Sequence, residues 1–180
     1  MNLPNKLTVL RVILVPFFMV CAAFHWWLPA GIIFAAASFT DYLDGQIARK
    51  NNLVTDFGKF MDPLADKILT TTAFLYMLAD GVCSPIVLTI ILAREFAVAG
   101  MRMIAAGAKN GKVIPANMWG KVKTVVQMLT IIVYYFGMAF LPAATIELVT
   151  IVLCWIVAAV TLISGVKYLY DGRDYIKNAK

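Results

Sequence analysis

The chain has 180 residues, 62% of them hydrophobic and only 14% charged, with a mean hydropathy of +0.82. Soluble domains hold about 45–50% apolar and about 25% charged residues, because a small domain must still present a polar surface; this composition excludes a soluble globular protein. The net charge of +6 therefore points to basic residues gathered on one side of a membrane, with no nucleic-acid partner expected.

Only helices and closed barrels satisfy their backbone in lipid. A barrel would alternate strictly, whereas here the apolar residues form long runs. The expected fold is all-α: a polytopic membrane protein with six transmembrane helices and one domain over residues 1–180. At about 20 residues per crossing, the first span runs from Leu7 to Leu28. Pro4 before it suggests the start of a short amphipathic helix on the surface. The apolar run from Val12 to Leu28, which follows Lys6 and Arg11, imitates a signal peptide, but it passes through a Pro-Ala-Gly break directly into further apolar sequence and is expected to stay. The second span is Pro29 to Arg49, the third Gly58 to Asp80 and the fourth Ser84 to Ala106. The fifth is Met118 to Phe140 and the sixth Ala143 to Tyr170. Pro29, Pro85 and Pro142 stand at helix starts, and Gly81, Gly107 and Gly111 in or near turns.

The connections around residues 25–31, 80–85 and 139–147 contain no Lys or Arg, while the termini and the other connections are rich in both. Cytoplasmic loops carry such an excess, so both termini are expected in the cytoplasm and the protein in the cytoplasmic membrane. His25, beside Trp26 and Trp27, reads as an interfacial residue. Cys21, Cys83 and Cys154 share no metal-type spacing and read as small apolar spacers.

The stretch from Asp41 to Lys67 is the informative one. It places Asp41, Asp44, Asp62 and Asp66 inside expected spans, where a carboxylate costs at least about 2.5–3.5 kcal/mol on insertion scales. Asp41, Asp44, Gly45 and Ala48 share one face of the second helix; Gly58, Asp62 and Asp66 share one face of the third. At 1.5 Å per residue, Asp41 and Asp66 each lie roughly 12 Å from their helix ends, and Asp44 and Asp62 roughly 7.5 and 6 Å. With the two helices as antiparallel neighbours, the four acids converge in the cytoplasmic half. Such a group ionises fully only with compensating charge, and oxygen-only ligation suits magnesium, manganese or calcium rather than zinc. Two cations clamp a diphosphate in phosphoryl displacement. Gly45, Ala48 and Gly58 leave a groove for a nucleotide, and Arg49 offers a fork for phosphate. Close packing explains the small residues but not four acids at matched depth. Asp56, just before Gly58, reads as a helix cap.

The pattern Asp41-x-x-Asp44-Gly45-x-x-Ala48-Arg49, eight residues, Gly58-x-x-x-Asp62-x-x-x-Asp66 resembles the signature of the CDP-alcohol phosphatidyltransferases at every fixed position. The span plan and length are also similar to that family. The resemblance implies that Asp41, Asp44, Asp62 and Asp66 hold two divalent cations, Mg2+ or Mn2+, and that Asp66 is also the general base. It implies CDP contacts from Gly45, Arg49, Thr55 and Gly58, with Asn5, Thr8 and Arg11 closing over the nucleotide. Ala93 to Arg102 and Gly120 to Thr124 resemble the branch of the family whose acceptor is glycerol 3-phosphate, which implies CDP-diacylglycerol and glycerol 3-phosphate as substrates. A homodimer within membrane lipid is expected.

An acceptor bearing a phosphate calls for fixed positive charge, and Arg102, Lys121 and Lys123 fall at the cytoplasmic ends of the fourth and fifth spans. The lysines also fit ordinary snorkelling. Arg94, near mid-span beside Glu95, either binds the acceptor or holds a buried ion pair. Inositol phosphate, serine or phosphatidylglycerol as acceptor is the alternative within the family; the neutral ones would leave the basic cluster without a partner. A divalent-cation transporter is the alternative from another class. Against it stand the clustering of the acids near one face and the absence of broken half-helices in the pattern.

Overall fold

The computed structural model describes the backbone of residues 3–50, 56–107 and 118–177, and the side chains of most of them. All of the described secondary structure is helical: α1 (Leu3–Ala23), α2 (Trp27–Lys50), α3 (Asp56–Ala79), α4 (Pro85–Gly107), α5 (Met118–Phe140) and α6 (Ala143–Lys177). The middle four helices match the expected spans to within two residues, whereas α1 lies four to five residues nearer the amino terminus than expected and α6 runs seven residues further. Among the described residues, three stretches are long and apolar enough to cross a membrane: Asn5–Ala23, Met118–Phe140 and Ala143–Gly172. The more charged α2, α3 and α4 carry the acids of the motif and the Arg94–Glu95 pair. Large apolar side chains such as Phe17, Ile32, Phe96, Leu148 and Val166 lie on the outside, as a protein dissolved in lipid requires.

One expectation is corrected. The amino-terminal segment is no separate surface helix; residues from Leu3 onward form the first turns of α1 itself. Pro4 sits in the first turn, where its ring does no harm. Asn5, Thr8 and Arg11, spaced three apart, are buried on one face, so burial holds the segment in line with the span.

Local chemistry sets the turns. α3 closes with Val82 N–H donating to Met77 O at 3.0 Å and Gly81 N–H to Leu78 O at 3.0 Å, and Gly81 takes the left-handed φ of 79° that this closure needs. α1 ends in the same way, with Trp26 N–H on Cys21 O at 2.8 Å and His25 N–H on Ala22 O at 3.0 Å. There the left-handed residue is His25, at φ 55°. Its cost is offset by a 3.2 Å contact with Asp80 and by packing on Trp27. Ser84 Oγ accepts from Ile86 N–H at 3.2 Å and caps α4, with Pro85 at the first helical position.

Packing between helices departs from chain order. α1 packs on both α2 and α3, α2 on α5, and α6 on both α4 and α5, while α2 and α3 touch only sparsely among the described residues. The two acid-bearing helices are thus braced by α1 rather than pressed together. An aromatic cluster of Phe18, Trp27, Tyr134 and Tyr135 fills the core toward the His25 end, with Phe18 and Tyr135 ring centroids 5.3 Å apart. α5 and α6 approach so closely that a Cβ at Gly137 would stand 2.6 Å from Ile146 Cδ1.

Candidate active site

Two groups of polar side chains meet around Asp66. The first comes from α1 and α2. Arg11, fully buried, places Nη1 2.7 Å from Asp41 Oδ1 and donates through Nε to Ala37 O at 3.3 Å. Asn5 and Thr8 lie on the same buried face. Burying a guanidinium is costly without a carboxylate beside it, and Asp41 supplies one. Asp41, Arg11, Lys123 and Glu95 all lie close enough to Asp66 to act on its charge. The residues expected at opposite ends of the motif, Asp41 and Asp66, therefore do approach one another.

The second group lines a cavity of about 440 Å³ between α3, α4, α5 and α6. Asp66 stands in its wall together with Arg94, Arg102, Lys121 and Lys123, so the four basic residues singled out from sequence share one space with the acid. Glu95 accepts from Lys123 in a short charge-assisted contact, pairs with Arg94 Nη1 at 3.2 Å and lies 3.6 Å from Lys67 Nζ. Arg94 Nη2 also donates to Ser164 Oγ at 2.8 Å. Arg102 Nε donates to Tyr168 OH at 3.1 Å, with its guanidinium 5.6 Å from the ring centroid. The basic cluster therefore has an internal partner in Glu95, and charge balance alone argues less against neutral acceptors than the sequence suggested. Even so, among the described residues lining the cavity five cationic side chains stand against two carboxylates, Asp66 and Glu95, a positive surplus that suits an anionic ligand.

Asp44, Gly45 and Arg49 lie on α2, and Gly58 and Asp62 on α3; their side chains lie outside the described residues, as does Thr55 altogether. Sequence reasoning missed Lys67, Ser164 and Tyr168, and noticed Glu95 only as a neighbour of Arg94. Lys67 and Glu95 carried a usable signal, since a charge inside a span calls for a named partner. Ser164 and Tyr168 carried none, because small polar and aromatic residues are ordinary in such helices.

Among the described residues no group of three or more His, Cys, Asp or Glu side chains forms a metal site, and the donor type the motif offers there is oxygen. Asp41 and Asp66 offer carboxylate oxygens alone; Cys21, Cys83 and Cys154 are buried in the apolar core, and His25 pairs with Asp80 at the other end of α1 and α3.

Helical acids at one end of a bundle, facing a cationic cavity, suit transfer of a phosphorylated group between anionic substrates. A family model described as CDP-alcohol phosphatidyltransferase matches residues 1–163, and the chain belongs to that family. Over 99% of its length it is 36% identical to the CDP-diacylglycerol–glycerol-3-phosphate 3-phosphatidyltransferase of Bacillus subtilis (strain 168), 98% of which is covered. It is also 36% identical to the protein of that name from Rickettsia felis, over 97% of each chain. With the Yersinia pestis (strain Pestoides F) protein of the same name the identity is 34%, over 94% of this chain and 93% of the relative.

Proposed function

We infer that the protein transfers the phosphatidyl group of CDP-diacylglycerol to a hydroxyl of glycerol 3-phosphate, giving phosphatidylglycerophosphate and CMP. The observation that carries this reading is the cavity in which Asp66 faces Arg94, Arg102, Lys121 and Lys123. An acceptor with a phosphate at one end and a hydroxyl at the other needs that pairing of surplus cations with one acid. The full-length likeness to relatives bearing that activity as their name supports it.

In this reading Arg94, Arg102, Lys121 and Lys123 hold the acceptor phosphate. Asp66 takes the proton from the acceptor hydroxyl as its oxygen attacks phosphorus. Asn5, Thr8, Arg11, Gly45, Arg49, Thr55 and Gly58 contact the CDP moiety, with Arg11 tied to the site through Asp41. Asp41, Asp44, Asp62 and Asp66 would hold two divalent cations, Mg2+ or Mn2+, whose charge offsets that of the diphosphate and the leaving CMP. Steady-state turnover of an acceptor panel with CDP-diacylglycerol tests the assignment. Glycerol 3-phosphate should be preferred, and alanine at Arg102, Lys121 or Lys123 should raise its KM more than that of the donor. Equal turnover of plain glycerol or inositol contradicts it.

All six helices are read as crossing the cytoplasmic membrane, with both termini and the active site on the cytoplasmic side. The charge asymmetry of the connections supports this. A cysteine introduced by Asn178→Cys should react with a membrane-impermeant thiol reagent only after cells are opened. Labelling in intact cells reverses the orientation.

A further inference from the structure

Arg94 is held from several sides in the cavity wall. Its stem leaves α4 and passes between α5 and α6. A Cβ at Gly165 of α6 would stand 3.1 Å from Arg94 Cγ, and one at Gly120 of α5 would stand 3.2 Å from Nη2. Both are tighter than a side chain accepts without displacing its neighbour, so two bare stretches of helix form the slot through which Arg94 runs. Ser164 then pins Nη2 from α6 at 2.8 Å, and Glu95 holds Nη1 at 3.2 Å.

The same Glu95 carboxylate accepts from Lys123 of α5 and lies 3.6 Å from Lys67 of α3. One carboxylate thus gathers cations from three helices. A pair that served stability alone would need one cation, and the excess gives this face of the cavity surplus positive charge. Arg94 Nε is also buried with no hydrogen-bond partner among the described residues. A buried donor left unmatched is costly and calls for an explanation, and here the guanidinium keeps one donor in reserve.

Long cationic side chains lose rotamer freedom on gripping an anion, and a guanidinium binds phosphate well only when its plane is correctly set. Holding the side chains beforehand removes that cost from binding. We propose that Glu95, Ser164 and Gly165 are positioning residues that hold Arg94 and Lys123 in the arrangement that grips the acceptor phosphate, and so set the enzyme's selectivity for a phosphate-bearing alcohol. The proposal rests on the acceptor reading above. In this role the three residues act through Arg94 and Lys123.

The test uses the purified full-length protein in mixed micelles, with CDP-diacylglycerol and glycerol 3-phosphate varied separately. Gly165→Ala pushes on the Arg94 stem and should raise the acceptor KM about tenfold, leaving the donor KM within about twofold, the signature of lost ground-state binding at one subsite. Ser164→Ala should act in the same direction but more weakly. Glu95→Gln should have the largest effect, and Glu95→Asp should restore part of it. Competitive inhibition by inorganic phosphate against the acceptor should weaken in parallel. Gly100→Ala, whose added Cβ meets nothing within 4 Å, is the matched control on α4 and should behave as wild type. Should Glu95→Gln not fold, the Gly165 and Ser164 variants decide. A wild-type protein that does not use glycerol 3-phosphate overturns the acceptor reading and this inference with it. A wild-type protein that uses it, with Gly165→Ala and Ser164→Ala changing both KM values alike or neither, overturns the inference alone.

Discussion

Asp66→Asn should lower turnover by about 10²–10⁴-fold, the usual contribution of a positioned general base, while much of the donor binding survives. The substitution keeps the size and polarity of the side chain but removes its ability to accept a proton. The surroundings of Asp66 suit a base, since it lines the cavity together with Lys123 and Glu95 and is open there to an acceptor. A base must lie within hydrogen-bond reach of the hydroxyl it deprotonates, and the cavity is where a hydroxyl on a phosphate-bearing acceptor would sit. The reaction should then proceed by direct displacement, with CMP leaving. A donor made chiral at phosphorus with sulfur and oxygen isotopes reads this out. Inversion agrees with one direct step. Net retention, or a trapped phosphatidyl-enzyme, would show that Asp66 or a neighbour attacks as a nucleophile, and the assignment of its role would be wrong.

Chelation of divalent cations should abolish activity, and magnesium or manganese should restore it. Asp41→Ala, Asp44→Ala and Asp62→Ala should each cost about 10²–10³-fold, the scale for losing one electrostatic anchor of a transition state. Asp41→Ala has a second consequence visible in the structure. It removes from the buried Arg11 the carboxylate 2.7 Å from Nη1, and taking one partner from a buried ion pair destabilises. Asp41→Ala should therefore also lower the thermal unfolding midpoint in detergent, and the double variant Arg11→Met/Asp41→Ala should recover part of the loss. Full wild-type rates in rigorously metal-free protein would refute the cation requirement.

Much of this protein is legible in one dimension. Helix boundaries follow from Pro85, Gly81 and the lengths of the apolar runs, because capping and backbone closure involve residues only a few positions apart. The acids of the motif are legible for the same reason: helical periodicity alone puts Asp41 and Asp44 on one face and Asp62 and Asp66 on another. The partners of those residues are not legible. Arg11 and Ala37 are 26 positions apart, Glu95 and Lys123 are 28 apart, and Arg94 and Ser164 are 70 apart. Which helices lie side by side is decided by burial summed over whole faces. That is how α1 came to brace α2 and α3, and how α6 came to hold Arg94. The sequence by itself determined a membrane-embedded, acid-bearing helical protein of this family. The tertiary structure alone decided that Glu95 ties three helices together and that the basic residues share one cavity with Asp66. Local spacing cannot report contacts that depend on the packing order of the helices.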